Sequence, residues 1–315
     1  RTKELDDNLQ TKNDQKDARV IAKLMRDGVF SFPRYLEGVE AELRSAATLR
    51  TKLVENLTAI KNRMIRWTDR FFPEFQLVFP TFGKNACAVL EKTPLPQDLV
   101  GQDIEELLKV YKQVNGLKCP SRPKIKQIQN VAEQSVGITE GLEIARFEIA
   151  TLLSQFQYIS QQLEVLDKKM TGYAKQLPEY EYISSVPGIG GNSVKMLLSE
   201  IGSFSHYKHP RQIIKLAGLT LRENSSGKHK GQKKISKRGR KDLRATLYRT
   251  TLPLIQHNPA FRELYDYYIS RPINPLSGKE ALVVLCSKVI KILHALSHKQ
   301  VYFSAEAMMK DLHCL

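Results

Sequence analysis

Two long heptad patterns constrain the fold of this chain more than any other feature of its sequence. In residues 36–70, apolar side chains recur at alternating steps of four and three, with Arg50 filling one position of the apolar seam. In residues 121–177, the same spacing continues from Leu142 to Tyr173, while Glu, Gln and Lys occupy the other face. A seam this regular requires a helical partner, which is either the other long helix, folded back as an antiparallel coiled coil, or a second subunit. Both arrangements are open at this point, and both give the helices a structural role.

A strongly basic stretch follows at residues 221–249, which read LRENSSGKHKGQKKISKRGRKDLRATLYR. It carries eleven Lys and Arg residues against two acidic residues, so that +9 of the chain's net charge of +16 is concentrated there. Gly227 and Gly231 indicate a loop or hairpin, and apolar residues at helical spacing indicate a helix after Gly239. A polyanion such as nucleic acid is the natural partner of this positive field.

Two serines, Ser225 and Ser226, stand where the basic stretch opens into its glycine-flanked loop. A hydroxyl held there can attack a phosphodiester, because the surrounding cations neutralise the charge that builds up on the phosphorus oxygens. The alternative is a solvated basic loop that clamps backbone phosphate without any chemistry. Local composition alone favours this alternative, because basic runs usually bind and seldom cut.

Residues 178–203 predict two short helices joined by a tight turn, PGIG, at residues 187–190. The segment resembles a helix-hairpin-helix, in which backbone N–H groups at a helix N-terminus hold a phosphate without reading base sequence. Gly188 and Gly190 permit the turn and the close approach of a phosphate. The alternative is an ordinary turn between two helices, and the basic stretch that follows favours phosphate binding.

Asp14 and Asp17 begin a predicted helix and, being three residues apart, share one face of its first turn. Two carboxylates on one face can hold a divalent metal ion, usually with acids from other elements. The alternative is that acids in a first turn simply complement the helix dipole, and taken alone this alternative is favoured.

The remaining composition argues against several classes of protein. No run approaches the roughly 20 apolar residues needed to span a bilayer, and the charged opening RTKELDDNLQ indicates no signal peptide. The four cysteines are scattered without a CxxC motif, which indicates reduced thiols in the cytoplasm and no zinc site. Cys286 lies in an apolar run and is predicted to pack in the core. An isoelectric point near 9.6 again favours an anionic partner.

Three blocks of sequence, in order along the chain, resemble the bacterial insertion-sequence transposases with a DEDD catalytic domain, a family that contains the bridge-RNA-guided recombinases. The blocks read NDQKDARVIA, VPGIGGNSVKMLLSEIG and KLAGLTLRENSSGKHKGQKKISKRGRKDLR. The resemblance covers most of the chain and is most specific in the third block. It implies DNA transposition or recombination as the activity and DNA and a structured guide RNA as partners. It also implies assembly as a homodimer or homotetramer, with no membrane association.

The resemblance implies a mainly α fold in three parts. Residues 1–34 correspond to the C-terminal part of a RuvC-like, RNase H-like α/β domain. Residues 35–178 correspond to a long-helix coiled-coil region for assembly, and residues 179–315 to a C-terminal transposase domain with the helix-hairpin-helix and the serine. The family's first Asp and its Glu lie upstream of the motif that holds Asp14, and only 13 residues precede Asp14 here. Either the upstream part of the RNase H-like sheet lies outside this sequence, or the protein is a remnant, in which Asp14 and Asp17 would hold Mg²⁺ poorly without further upstream acids.

Residue by residue, the resemblance assigns Ser226 as the nucleophile, with Ser225 as a close second. It assigns Asp14 and Asp17 as the last two acids of the DEDD set, which bind Mg²⁺. The nucleic-acid-binding residues predicted from the turn and the basic stretch are Gly188, Gly190, Lys228, Lys230, Lys233, Lys234, Lys237, Arg238, Arg240, Lys241 and Arg244. Two alternatives are a catalytically incomplete nucleic-acid-binding scaffold and a structure-selective nuclease of the resolvase type that uses only the acids.

Overall fold

The computed structural model describes residues 14–29, 35–114, 119–222, 225–226, 229–230 and 234–310 of the chain. These residues are mainly helical, which confirms the predicted fold class. The chain divides into two compact units, Arg1–Gly38 and Val39–Leu315. The three-part domain division stays a prediction.

The first unit contains helix α1, Asp14–Arg26. Acidic side chains occupy its first turn, and Lys23 and Arg26 occupy its last turn, as the helix dipole favours. The predicted RNase H-like remnant also depends on residues 1–13, which lie outside the described part of the chain.

Two long helices dominate the second unit: α2 spans Gly38–Phe71 and α7 spans Leu142–Ala174. They run antiparallel, because contacts join early residues of one helix to late residues of the other. Arg50 Nε lies 2.9 Å from Asp167 Oδ1, and Trp67 Nε1 donates to the Ala145 carbonyl at 2.9 Å. The first long helix, folded back within the same chain, therefore partners the second.

One end of this helix pair carries the first of two apolar cores. Short elements pack around it: α3, Phe75–Val78; α4, Lys84–Lys92; a 3₁₀ turn, Pro96–Asp98; α5, Ile104–Lys112; and α6, Arg122–Ala132. Trp67 is fully buried in this core, with its ring centroid 5.3 Å from that of Phe71. The loop before α7 returns to α2, where the Ile138 N–H donates to the Arg70 carbonyl at 2.9 Å.

The second core lies at the other end of the helix pair and is built by the C-terminal elements. In chain order these are α8, Glu179–Ser184; α9, Gly191–Ile201; a 3₁₀ turn, Phe204–His206; α10, Pro210–Leu216; β1, Leu221–Arg222; β2, Ser225–Ser226; β3, His229–Lys230; β4, Lys234–Ile235; α11, Lys241–His257; α12, Pro259–Ser270; α13, Gly278–Lys299; and α14, Ala305–Lys310. Leu43 of α2 and Met170 of α7 belong to the same core. The long helices therefore connect the two cores.

Helix α13 is long and apolar enough to cross a membrane by length and composition alone, with a mean hydropathy of 1.5 over its most apolar window. Lys288 and Lys291 interrupt its apolar run, which is why the sequence showed no such segment. However, 56% of that window is buried inside the protein, so core packing accounts for its composition. Cys286 is 2% exposed, which confirms its predicted place in the core, and burial raises the pKa of its thiol to about 11.

Partly buried ion pairs join the long helices to the second core. Asp167 of α7 binds Arg50 of α2 at 2.9 Å and Lys195 of α9 at 3.0 Å. Burial opposes ionisation of Asp167, but hydrogen bonds from Arg50 and Lys195 outweigh it and lower the pKa of the carboxyl. The Arg44 guanidinium of α2 also pairs with the Glu200 carboxylate near the end of α9. The helix pair is thus fixed to α9 by charge as well as by apolar contact.

We expect Gly137→Ala to destabilise the first core. A Cβ at this position would lie 2.2 Å from the Phe71 carbonyl oxygen and 2.6 Å from its carbon. Both are backbone atoms of α2, so the clash is relieved only if the loop moves. We expect the free energy of unfolding, measured in urea, to fall by about 2–4 kcal/mol.

Gly172→Ala is the matched control, because a Cβ there meets nothing within 4 Å. Alanine is favoured over glycine in a helix interior, so this variant should gain about 0.5–1 kcal/mol. Equal stability of the Gly137→Ala variant and the wild type would contradict the contact with Phe71.

Candidate functional site

The basic stretch folds into an arm of two antiparallel strand pairs. At its base, β1 pairs with β4, with Leu221 opposite Ile235 and Arg222 opposite Lys234. Further out, β2 pairs with β3, with Ser225 opposite Lys230 and Ser226 opposite His229. The hairpin predicted from the two glycines is therefore present. The backbone of both serines belongs to the outer strand pair, next to its connection.

Part of the predicted site lies outside the described residues. This applies to Gly227, Lys228 and Lys233 and to the side chains of Ser225, Ser226 and Lys230. Their predicted roles stay predictions.

A close crossing of two glycine backbones anchors the arm to the second core. A Cβ at Gly239 would lie 2.4 Å from the Leu216 carbonyl oxygen and 2.5 Å from the Gly218 nitrogen. Gly218 itself has a φ of +68° and accepts a hydrogen bond from the Lys237 N–H at 3.0 Å. The Arg240 N–H donates to the Leu216 carbonyl at 2.7 Å. Only glycine permits an approach this close, so the two legs of the arm are held against the end of α10.

The cations at the base of the arm divide into two groups. The Arg240 guanidinium donates to the Glu200 carbonyl at the end of α9, and the half-buried Arg244 donates to the Ala217 carbonyl at 2.9 Å, at the end of α10. Helix C-termini carry partial negative charge, so these arginines stabilise the arm's attachment. The remaining predicted cations are exposed to solvent: Lys234, Lys237, Arg238 and Lys241.

The turn at residues 187–190 joins α8 to α9, as the sequence predicted. Gly188 has a φ of +96°, and a Cβ there would lie 3.1 Å from Leu254 Cα of α11. The Asn258 side chain donates to the Pro187 carbonyl at 3.1 Å, which fixes the turn against the same helix. Gly190 precedes α9 in an extended conformation and is exposed. The Ser193 N–H in the first turn of α9 donates to the Gly190 carbonyl at 2.8 Å. The first N–H groups of an α-helix generally lack intrahelical partners, so the start of α9 is suited to an anion.

Asp14 and Asp17 lie in the first turn of α1, where Asp14 is exposed and Asp17 half-exposed. As carboxylates one helical turn apart, they fit as two ligands of a divalent cation. Within the described residues, no group of three or more His, Cys, Asp or Glu side chains is suited to a metal ion. The pair therefore does not complete a site from the described residues, and the nearby acids Glu4, Asp6 and Asp7 lie outside them.

The charged residues that fix the site in place were not predicted from the sequence. Lys195 and Glu200 are 4% and 6% exposed, yet both belong to the otherwise apolar helix α9. Charged residues within an apolar helix were an available signal, because buried charges are almost always paired. Their partners, Arg44 and Asp167, lie on the long helices and are not readable from spacing in α9.

Comparison with known proteins finds transposase families that match the segments containing these features. Residues 180–266 match the Transposase IS116/IS110/IS902 family, and residues 2–73 match the DEDD transposase domain of the IS110 type. The chain is 22% identical to the insertion element IS110 uncharacterized 43.6 kDa protein of Streptomyces coelicolor, over 94% of this chain and 73% of that protein.

It is also 21% identical to the transposase for insertion sequence element IS1111A of Coxiella burnetii, over 92% of this chain and 67% of that protein. A transposase for IS1328 of Yersinia enterocolitica is 26% identical over 31% of the chain. The two family matches lie on the acids of α1 and on the segment that contains the turn and the arm. The chain is therefore similar to the IS110/IS116 insertion-sequence transposases in these two regions.

Proposed function

We propose that this protein is a DNA transposase, or recombinase, that cuts and rejoins DNA with Ser226 as the nucleophile. The observation that carries the proposal is the arm: its backbone pairing puts Ser226 in the outer strand pair of a basic hairpin. The DEDD match supports divalent metal use, and DNA strand transfer follows from the transposase match. Ser225 is the second choice for the nucleophile, because it is the neighbouring residue on the same strand.

The chemistry is a transesterification in two steps. The Ser226 hydroxyl loses its proton and attacks a DNA phosphorus, which forms a seryl phosphodiester and releases a sugar hydroxyl that takes up a proton. A sugar hydroxyl of a second strand then attacks the same phosphorus and restores the serine. The number of phosphodiester bonds is conserved, so no external energy source is needed. Asp14 and Asp17, with further acids, would hold Mg²⁺, which neutralises charge on the reacting phosphate when it is bound.

DNA and a structured guide RNA are the proposed partners of the exposed base of the arm and of the 187–190 turn. Lys234, Lys237 and Lys241 offer mobile positive charges, and the N-terminus of α9 offers backbone donors to a phosphate. The guide RNA is proposed from the resemblance to the bridge-RNA-guided recombinases.

Assembly as a homodimer or homotetramer is proposed through the outer face of α7. Ile144, Tyr158 and Val165 are 71%, 64% and 46% exposed and lie at multiples of seven residues from one another. Phe147, 72% exposed, lies three residues after Ile144. These apolar side chains share one exposed face of α7, with polar residues between them, separate from the seam that packs on α2, and a second copy of the helix fits this face.

We expect the double variant Tyr158→Glu, Val165→Glu to lower the mass of the protein in solution, as measured by light scattering during gel filtration. Charges are unfavourable where apolar side chains pack between helices, so the assembly should dissociate towards the 36.0 kDa monomer. Gln127→Glu, Asn130→Glu adds the same charge to exposed positions of α6, and it should leave the mass unchanged. A wild-type protein that is itself monomeric would refute the proposed assembly.

We expect Ser226→Ala to abolish strand exchange on junction DNA by the full-length protein, assayed with Mg²⁺ and with its co-purified nucleic acid. Removing a covalent nucleophile typically costs about 10⁶-fold in rate. Ser225→Ala is the matched control and should retain activity. Loss of strand-exchange activity in Ser225→Ala alone would identify Ser225 as the nucleophile.

The same assay separates the alternative functions. A nucleic-acid-binding scaffold would cut no DNA with any metal in the wild type. A resolvase-type nuclease would keep its activity in Ser226→Ala and lose it in Asp14→Asn. The result expected for either alternative would overturn the serine mechanism.

We expect the triple variant Lys234→Gln, Lys237→Gln, Lys241→Gln to reduce the salt dependence of duplex DNA binding. Each phosphate contact contributes about 0.9 to the slope of log K against log salt concentration, so the slope should fall by about 2 to 3. Fluorescence anisotropy titrations at several salt concentrations measure it. Lys109→Gln, Lys112→Gln, Lys126→Gln removes equal charge from exposed positions around the first core, and it should leave the slope unchanged. Equal slopes for the two triple variants would exclude the arm as a DNA contact.

A further inference from the structure

A polar cavity of about 210 Å³ lies where the start of α8, the loop after α9 and the end of α13 meet. The polar side chains that line it are Glu179, Tyr182, Ser203, Ser205, Ser297, His298 and Gln300. None of them belongs to the arm, to the 187–190 turn or to the acids of α1. The cavity therefore has no part in the function proposed above.

Glu179 is a buried carboxylate, only 4% exposed. Its Oε1 accepts hydrogen bonds from the Ser203 hydroxyl and from the Phe204 N–H, the latter at 3.0 Å. Its Oε2 is also buried and has no hydrogen-bond partner among the described residues. Burying an ionised carboxylate is costly unless its charge is compensated. The unpartnered Oε2 of Glu179 therefore favours a positively charged ligand in the cavity.

Ser297 supplies a second unpartnered oxygen to the same cavity, because its buried hydroxyl also has no partner in the described part of the chain. The nearby imidazole has other partners: His298 Nε2 lies 3.1 Å from both the Phe204 and the Tyr207 carbonyl oxygens. Across the described ranges, no Lys or Arg forms an ion pair with Glu179. The cavity thus contains a carboxylate without a cationic partner and neutral oxygen atoms that can act as metal ligands.

We propose that this cavity binds a monovalent metal cation, held by Glu179 Oε2 and Ser297 Oγ, with water completing its coordination shell. Carboxylate and hydroxyl oxygens are hard ligands, which suit alkali-metal cations. One positive charge balances one carboxylate. The second acid nearby, Glu40, already accepts from the Ser203 N–H at 2.8 Å and lies 3.2 Å from His206 Nε2. The cation fixes the start of α8, and hence the entry to the 187–190 turn, against α13.

The test is the thermal unfolding of the full-length protein at one ionic strength in KCl, NaCl or tetramethylammonium chloride, without nucleic acid. Tetramethylammonium screens charge equally but is too bulky to be coordinated by two protein oxygens. We expect a midpoint about 2–4 °C higher in K⁺ or Na⁺ than in tetramethylammonium. Glu179→Gln should remove this ion-specific difference. Glu181→Gln, an exposed neighbour on the same helix, should keep it.

Equal midpoints in all three salts would mean that the cavity holds only water, and the proposal would be overturned. An ion-specific difference that survives in Glu179→Gln would place the ion elsewhere and overturn it equally. Stabilisation of the wild type, but not of Glu179→Gln, by low millimolar Mg²⁺ in place of K⁺ or Na⁺ would overturn the monovalent assignment. Ser297→Ala is the second variant if Glu179→Gln does not fold, and it should also lose the ion-specific difference.

Discussion

The ion-pair cluster at Asp167 holds together the parts of the second unit on which its proposed function depends. Asp167 on α7 receives Arg50 from α2 and Lys195 from α9, and the Lys195 side chain is 6% exposed. Ion pairs that are buried or partly buried often add little net stability, so the cluster need not add much. Its physical effect is to fix register: Asp167 must face both Arg50 and Lys195, or the buried Lys195 ammonium loses its partner.

The register of the long helices bears on the position of the arm through Glu200. The Arg44 guanidinium of α2 and the Arg240 guanidinium at the base of the arm both bind Glu200 of α9. One end of the long-helix pair is therefore joined through a single residue to the element that carries the serines. If α7 mediates assembly as proposed, the position of the arm relative to a second subunit depends on this short chain of contacts.

The arm also divides the basic residues according to their environment. Arg240 and Arg244 donate to carbonyls at helix ends, a task suited to a planar guanidinium with several donors. The lysines at the base of the arm remain exposed, as expected for flexible point charges that contact phosphate. Composition alone treated all of these residues as equivalent contacts with nucleic acid, because a local charge count does not reveal neighbouring carbonyl groups.

Local pattern by itself determined the two long helices, the turn around Gly188, a loop or hairpin at Gly227 and Gly231, and the helix that follows Gly239. Each depends on the spacing of side chains or on backbone freedom within a few residues, and these are properties of the sequence. The similarity to insertion-sequence transposases was also readable from three short blocks. Only the tertiary structure decided that α2 and α7 are partners within one chain, that Gly239 must pass against Gly218, and that Glu179 faces a cavity beside Ser297. Such pairings join residues far apart in the chain, and chain folding brings them together through packing and charge compensation that no local window contains.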